Sequence, residues 1–250
     1  MNISKIYIGT SGWSYQDWVG PFYPEDLQNK DFLSYYNHYF STVEINCSFY
    51  YLPNEKTILH WAEKVPEGFI FSVKANRYLT HMKKLKNSLE ALDRFMNAVL
   101  SLAVHLGPIL FQLPPRWKSN PQRLESFLKN LPTGNRYVFE FRDPSWWNET
   151  VYHLLKINRI SFCIFDLERV LSPIVLTTDF VYIRLHGPND AYRGLYSDEA
   201  LQNWAKKIEE WRNQNKTIYC YFDNDQLGFS VRNALKLKKI LNDIFKNEPI

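Results

Sequence analysis

The 250-residue sequence predicts an α/β fold of the (β/α)8 TIM-barrel class, with eight parallel strands in one closed sheet and a single domain over residues 1–250. Three observations predict it. Apolar, strand-like runs begin near residues 6, 42, 69, 108, 136, 160, 180 and 217, with helical patterns between most of them. Strand alternating with helix builds a parallel sheet through right-handed crossovers. Eight such units in 250 residues match the usual size of a closed barrel. Finally, the runs 42–46, 69–74, 109–112, 137–142, 162–166, 181–186 and 218–223 all end in charged or amide residues. The same polarity on strand after strand is how a barrel gathers reactive side chains at one mouth.

Taken in order, the first strand leads into Gly9-Thr10-Ser11-Gly12 and a long aromatic loop, which lacks the G-x-G-x-x-G of a dinucleotide fold. Residues 31–40 form a short, aromatic-rich helix, and residues 54–65 a helix capped by Asn54 after Pro53. Over 87–104, Leu89, Leu92, Phe95, Met96 and Val99 recur with the 3.6-residue helical period. Asn120-Pro121 opens a helix running to Leu131, with proline in the first turn. Helices over 145–157, 197–214 and 230–245 complete the pattern. Residues 167–179 are too few for a full unit, so a short or irregular helix is expected after strand six.

Hydrophobic residues make up 45% of the chain, enough for a large core and against disorder. The net charge of +4 permits polyanionic partners without demanding them. Cys47, Cys163 and Cys220 are far apart and sit in or beside apolar runs, which predicts buried, reduced thiols. The start, Met1-Asn2-Ile3-Ser4-Lys5, enters a strand at once without the apolar stretch of a signal peptide. No apolar run approaches transmembrane length, so a cytoplasmic location without membrane partners is expected. Nothing in the sequence sets an oligomeric state.

Side chains two apart on a strand share a face. Glu44 with Asn46, Glu140 with Arg142, and Arg184 with His186 are pairs of this kind at strand ends, and Lys74, Gln112, Asp166 and Asp223 join them. Each pair reads equally well as ion pairing that closes the barrel top. Glu44 and Glu140 resemble the two carboxylates of a glycosidase. Lys74, Arg142 and Arg184 at the same ends suit phosphate or carboxylate better than a neutral sugar. No metal set is expected, because only His186 of the six histidines ends a strand, with His81 nearby in a loop. From Lys74 to Lys86 there are five Lys or Arg and no acid; with Arg116, Trp117 and Lys118 this forms a basic, aromatic rim. No G-x-S-x-G elbow or Ser-His-Asp set supports a nucleophilic mechanism.

Several strings in register carry a resemblance. They are Gly9-Thr10-Ser11-Gly12-Trp13-Ser14-Tyr15 with Phe22-Tyr23-Pro24, Val43-Glu44-Ile45-Asn46, Arg77-Tyr78-Leu79-Thr80-His81, Phe111-Gln112-Leu113-Pro114-Pro115, Glu140-Phe141-Arg142-Asp143-Pro144-Ser145-Trp146, Arg184-Leu185-His186-Gly187 and Tyr221-Phe222-Asp223-Asn224-Asp225. From about Ile8 to Ala234 the chain resembles the YecE-like family of uncharacterised TIM-barrel proteins. The resemblance implies a TIM barrel with its signature residues at the strand ends, and it implies no defined reaction, since the family is a domain of unknown function. The family usually reads F-R-H-P-S-W, where this chain has Asp143 in place of the histidine. It often shows Asn-Asn where this chain has Asp223-Asn224.

The expected partner is therefore a small anionic molecule, a phosphorylated sugar or nucleotide-like compound, without a cofactor. Lys74, Arg77, Arg142 and Arg184 would grip its acid groups, with His81 also among the ligand-binding residues; Asn46 and Gln112 would orient it, and Trp13, Tyr50 and Trp146 would line the pocket. If the protein is an enzyme, a hydrolase or lyase is expected, with Glu44, Glu140, His186 and Asp223 as the catalytic candidates. A nucleic-acid-binding or repair-associated role on the basic rim is the alternative, and a glycosidase or a non-catalytic scaffold the next.

Overall fold

The computed structural model describes residues 5–246. The expected strand entry at Met1–Ser4 lies outside the described residues. The described residues hold nine strands: β1 (Ile6–Thr10), β2 (Thr42–Ile45), β3 (Ile70–Lys74), β4 (Leu106–Leu113), β5 (Tyr137–Phe141), β6 (Ser161–Leu167), β7 (Val170–Leu171), β8 (Phe180–Leu185) and β9 (Thr217–Phe222). The helices are α1 (Phe32–Tyr36), α2 (Cys47–Tyr50), α3 (Glu55–Glu63), α4 (Leu89–Leu100), α5 (Pro121–Leu128), α6 (Glu149–Ile157), α7 (Asp198–Asn213) and α8 (Phe229–Phe245). The strand order is β1-β9-β8-β6-β5-β4-β3-β2, with β7 off the path, and the fold class is an α/β barrel of the TIM type. No helix among the described residues is long and apolar enough to cross a membrane.

The chain divides into two compact units. The first comprises Met1–Glu44, Ile164–Ser172 and Asp179–Ile250. In it β9 lies between β1 and β8, pairing Ile8 with Cys220 on one side and Arg184 with Tyr221 on the other. A single parallel bridge between Ser11 and Glu44 joins the end of β1 to β2. That approach needs Gly9, because a Cβ there would run into the Thr42 carbonyl oxygen. Helices α7 and α8 cover the sheet with buried Leu201, Trp204, Ile208, Leu237 and Leu241. In the loop after β1, Trp18 and Tyr23 are fully buried, and Tyr23 stacks on Phe32 of α1 at 4.0 Å.

The second unit comprises Ile45–Cys163 and Pro173–Thr178. Here β4 lies between β3 and β5 in parallel register, with Gln112 beside Glu140. The helices begin where cap chemistry places them. Asn54 Oδ1 accepts the Thr57 amide at 2.9 Å before α3, and Asn120 Oδ1 accepts the Arg123 amide at 2.9 Å before α5. On α4, Leu92, Phe95, Met96 and Val99 are buried as the period requires. Leu89, the first helical residue, is exposed.

Between β6 and β8 the expected short helix is replaced by a turn and the two-residue strand β7. It runs antiparallel to the end of β6, with Asp166 opposite Leu171. Too few residues remain there for a helix to cover the sheet, and a hairpin satisfies the backbone instead. Cys163 and Cys220 are buried free thiols, whereas Cys47 opens α2 and is only half-buried.

Candidate functional site

Each unit carries a cluster of charged side chains at the C-terminal ends of its strands. In the first unit, Tyr182, Arg184 and His186 alternate along β8 and just beyond it, so the two-residue period sets all three on one face. Glu44 near the end of β2 and Asp223 just past β9 meet that face. Arg184 and Glu44 have no exposed surface. Arg184 Nε donates to both Glu44 oxygens, at 3.2 and 3.0 Å, and Nη2 donates to Glu44 Oε1 at 2.8 Å and Asp223 Oδ2 at 2.9 Å. Ser11 Oγ also donates to Glu44 Oε1, and the Tyr182 hydroxyl donates to Oε2 at 2.6 Å. Both oxygens of Glu44 are thus taken.

The geometry fixes the histidine tautomer. A guanidinium only donates, so the 3.2 Å contact of Arg184 Nη1 with His186 Nε2 makes that nitrogen an acceptor. The ring proton then sits on Nδ1, 2.8 Å from Asp223 Oδ2. Asp225 and Tyr15 extend this cluster. Burial, and then the neighbouring Asp223, push the Asp225 carboxyl well above the usual carboxylate range. Burial pushes the Tyr15 hydroxyl up as well, with Asp225 adding to the effect, and Tyr15 donates to the Ser11 carbonyl at 2.6 Å. Trp13 is buried, and its carbonyl accepts the Tyr23 hydroxyl at 2.5 Å. Asp166 is half-buried, with its carboxyl raised by desolvation and bonded by the Tyr196 hydroxyl at 3.0 Å.

In the second unit the pair Glu140 and Arg142 forms as the i, i+2 spacing predicts, with Arg142 Nε donating to Glu140 Oε1. The Cys163 thiol lies 3.7 Å from Glu140 Oε2. Gln112 is buried beside Glu140 and donates to the Leu113 carbonyl at 3.0 Å. Lys74 Nζ lies 4.5 Å from the Phe49 ring centroid, and the same ring packs edge-on against His81 at 5.0 Å. His81 rides on a five-residue π-helix, Tyr78–Met82, closed by the Lys83 amide on the Tyr78 carbonyl at 2.8 Å. Such wide turns are rare and recur at functional sites. Desolvation, then Lys74, Arg77 and Arg142, lower the His81 pKa from 6.5 to about 4, against an opposing effect of Glu140.

The remaining candidates fall around this cluster. Asn46 is half-buried at the start of α2, and Tyr50 stands 70% exposed at its end. Trp146 is fully buried in packing: its indole N–H donates to the Trp117 carbonyl at 2.6 Å and its ring stacks on Phe141 at 5.0 Å. It lines no open surface, because Trp117 and Phe141 cover it. Asp143 accepts the Ser145 amide at 3.0 Å, which with Lys118 holds its carboxyl below the usual range.

The structure thus joins Glu44, Arg184, His186 and Asp223 in one cluster, and Lys74, Arg77, His81, Glu140 and Arg142 in another. Sequence reasoning missed Tyr182, Tyr15 and Asp225. Tyr182 was detectable, since it lies two residues before Arg184 on the same strand. Among the described residues no three His, Cys, Asp or Glu side chains group to hold a metal ion.

Parallel strands whose C-terminal ends carry buried charge clusters define the chain as a TIM-type α/β barrel protein. Residues 7–249 match the family described as "Protein of unknown function DUF72", and the chain belongs to that family. It is similar to the UPF0759 protein YecE of Escherichia coli K12, with 27% identity over 89% of this chain and 88% of the relative. The UPF0759 protein YunF of Bacillus subtilis 168 is 23% identical over 95% of each chain. A DUF72 family protein of Thermotoga maritima MSB8, known from a crystal structure, superposes with a TM-score of 0.87 at 32% identity, over 95% of this chain and 99% of that one.

Proposed function

We propose that the protein binds a small anionic molecule, a phosphorylated sugar or nucleotide-like compound, at the C-terminal ends of β3 and β5. The observation that carries this reading is the charge balance around His81. Lys74, Arg77 and Arg142 all bear on the ring, and Glu140 is the one opposing carboxylate in its electrostatic surroundings. A site with surplus positive charge and a neutral histidine favours a ligand that brings negative charge. Gln112 and Asn46 supply amide groups at neighbouring strand ends to orient it.

As an enzyme the protein would be a hydrolase or lyase with Glu140 moving the proton. Glu140, paired as a carboxylate with Arg142, is the base of this site. Glu44 belongs to the other cluster, where Arg184, Ser11 and Tyr182 bond its two oxygens. Arg184 likewise grips protein carboxylates rather than a ligand.

The test is an NMR pH titration of the His81 ring, assigned with a His81→Gln variant, with and without inorganic phosphate and phosphosugars. A bound anion offsets the three cations, so the His81 pKa should climb from about 4 toward 6.5 in its presence. An unmoved titration across the whole panel would refute the reading. Where a phosphorylated compound is turned over, Glu140→Gln should still bind it and lose turnover by at least about a hundredfold.

A further inference from the structure

Next to the His81 cluster, in the same unit, a cavity of about 390 Å³ opens between the π-helix and α4. That is within the size range of small-ligand pockets. Its lining includes Tyr78, Asn76, Asn87, Glu90, Lys83 and Arg94. The Lys83 ammonium lies over the Tyr78 ring, 5.4 Å from its centroid, so a positive charge stands above one face of the aromatic ring and leaves the other for stacking. Arg94 pairs with Glu90 at 3.3 Å, and both side chains are largely in water. Such a pair contributes little and exchanges readily for another anion.

The surface outside the cavity has the same character. Tyr50 and Tyr51 are 70% and 64% exposed, and Leu52, the next residue, lines the cavity. Met82 is equally bare, while Arg77, Lys84 and Lys86 are exposed. No acid interrupts the chain from Lys74 to Lys86. The loop leading to α4 holds Lys84, Leu85 and Asn87 at positive φ of 48°, 64° and 47°. Side chains rarely take that conformation, and Asn87, one of these residues, lines the cavity. Large aromatic side chains left in water, interleaved with unopposed cations, are the features that stack bases and neutralise phosphates.

We infer that this face binds single-stranded nucleic acid, with one unpaired base in the cavity on Tyr78 and the flanking phosphates on Lys83, Lys84 and Lys86. Asn87 and Glu90 offer an amide and a carboxylate to the edge of that base, while Asn76, bonded to the Ser48 carbonyl and the Tyr78 amide, holds the cavity wall. The cations continue past the cavity, and Tyr50 and Tyr51 stand beside it, so the surface fits a strand rather than a free nucleotide.

Fluorescence anisotropy of a labelled oligothymidylate and an oligouridylate on the full chain tests this. Binding should weaken about fifteen- to sixtyfold between about 50 and 200 mM salt, as expected for three or four phosphate contacts on a single strand. Tyr78→Ala should weaken it about five- to a hundredfold, the range for losing one stacked base. Lys83→Glu combined with Lys84→Glu should flatten the salt dependence. Tyr78 is exposed, so unchanged circular dichroism and melting of the alanine variant will separate lost contact from lost fold. Absence of oligonucleotide binding at low salt, or affinity indifferent to Tyr78→Ala, overturns the inference. So does a duplex bound as tightly as the single strand. Thymidine monophosphate competing as well as the oligomer would assign the cavity to a free nucleotide and overturn it too.

Discussion

Arg184 directs its donors at Glu44, Asp223, Ser11 and His186, all inside the fold. Breaking a buried pair from one side leaves an uncompensated charge, which costs about 3–5 kcal/mol. Arg184→Met keeps much of the volume and strands two carboxylates, so urea unfolding should show a loss in that range. A loss below about 1 kcal/mol would contradict the geometry. His81 predicts a pH effect with a definite sign. Its folded pKa of about 4 lies below the ordinary 6.5, so the unfolded chain takes up the extra proton as pH falls between those values. Its contribution to stability is complete above pH 6.5 and is lost as pH drops toward 4. The urea midpoint of His81→Gln, followed against pH, should fall less steeply over that window than that of the parent protein.

At the scale of elements, starts and ends follow local chemistry. Asn54, Asn120, Asn148 and Ser197 each accept an amide from the first turn of the helix that follows. Asn120→Ala should cost about 1 kcal/mol by thermal unfolding without changing the far-ultraviolet spectrum. Gly9→Ala should cost more, because the rigid Thr42 carbonyl cannot yield to the added methyl. The caps at Asn54, Asn120 and Ser197 were readable in sequence, whereas the helix expected from Ser145 starts only after Asn148; the starts of the strands other than β7 lie within two residues of those expected. The π-helix at Tyr78–Met82 was not readable: a widened turn has no residue signature, and here it buries Leu79 and Thr80 while His81 packs on Phe49.

Over the whole molecule, three thiols report on packing. Cys163 and Cys220 are buried within strands, and burial raises the Cys220 thiol strongly. Cys47 is half-buried, and desolvation raises its thiol less. An aromatic disulfide reagent should therefore label Cys47 alone, slowly, in the native protein, and all three after denaturation. Labelling of two or more thiols under native conditions would mean that the strands carrying Cys163 or Cys220 open far more often than their packing implies.

By itself the sequence determined the fold class, the order of strands and helices, and which ends of the strands carry charge. Those features depend on period, caps and turn residues that are local in the chain. It also made the Glu140–Arg142 pair legible, since two residues on one strand must share a face. Only the tertiary structure decided that Glu44 and Arg184, 140 residues apart, satisfy one another. The same holds for the buried Trp146 ring, and for His81, whose pKa is lowered first by burial and then by Lys74, Arg77 and the sequence-distant Arg142. Burial and electrostatic environment belong to the packed neighbourhood, and a side chain's type cannot reveal which charges will surround it.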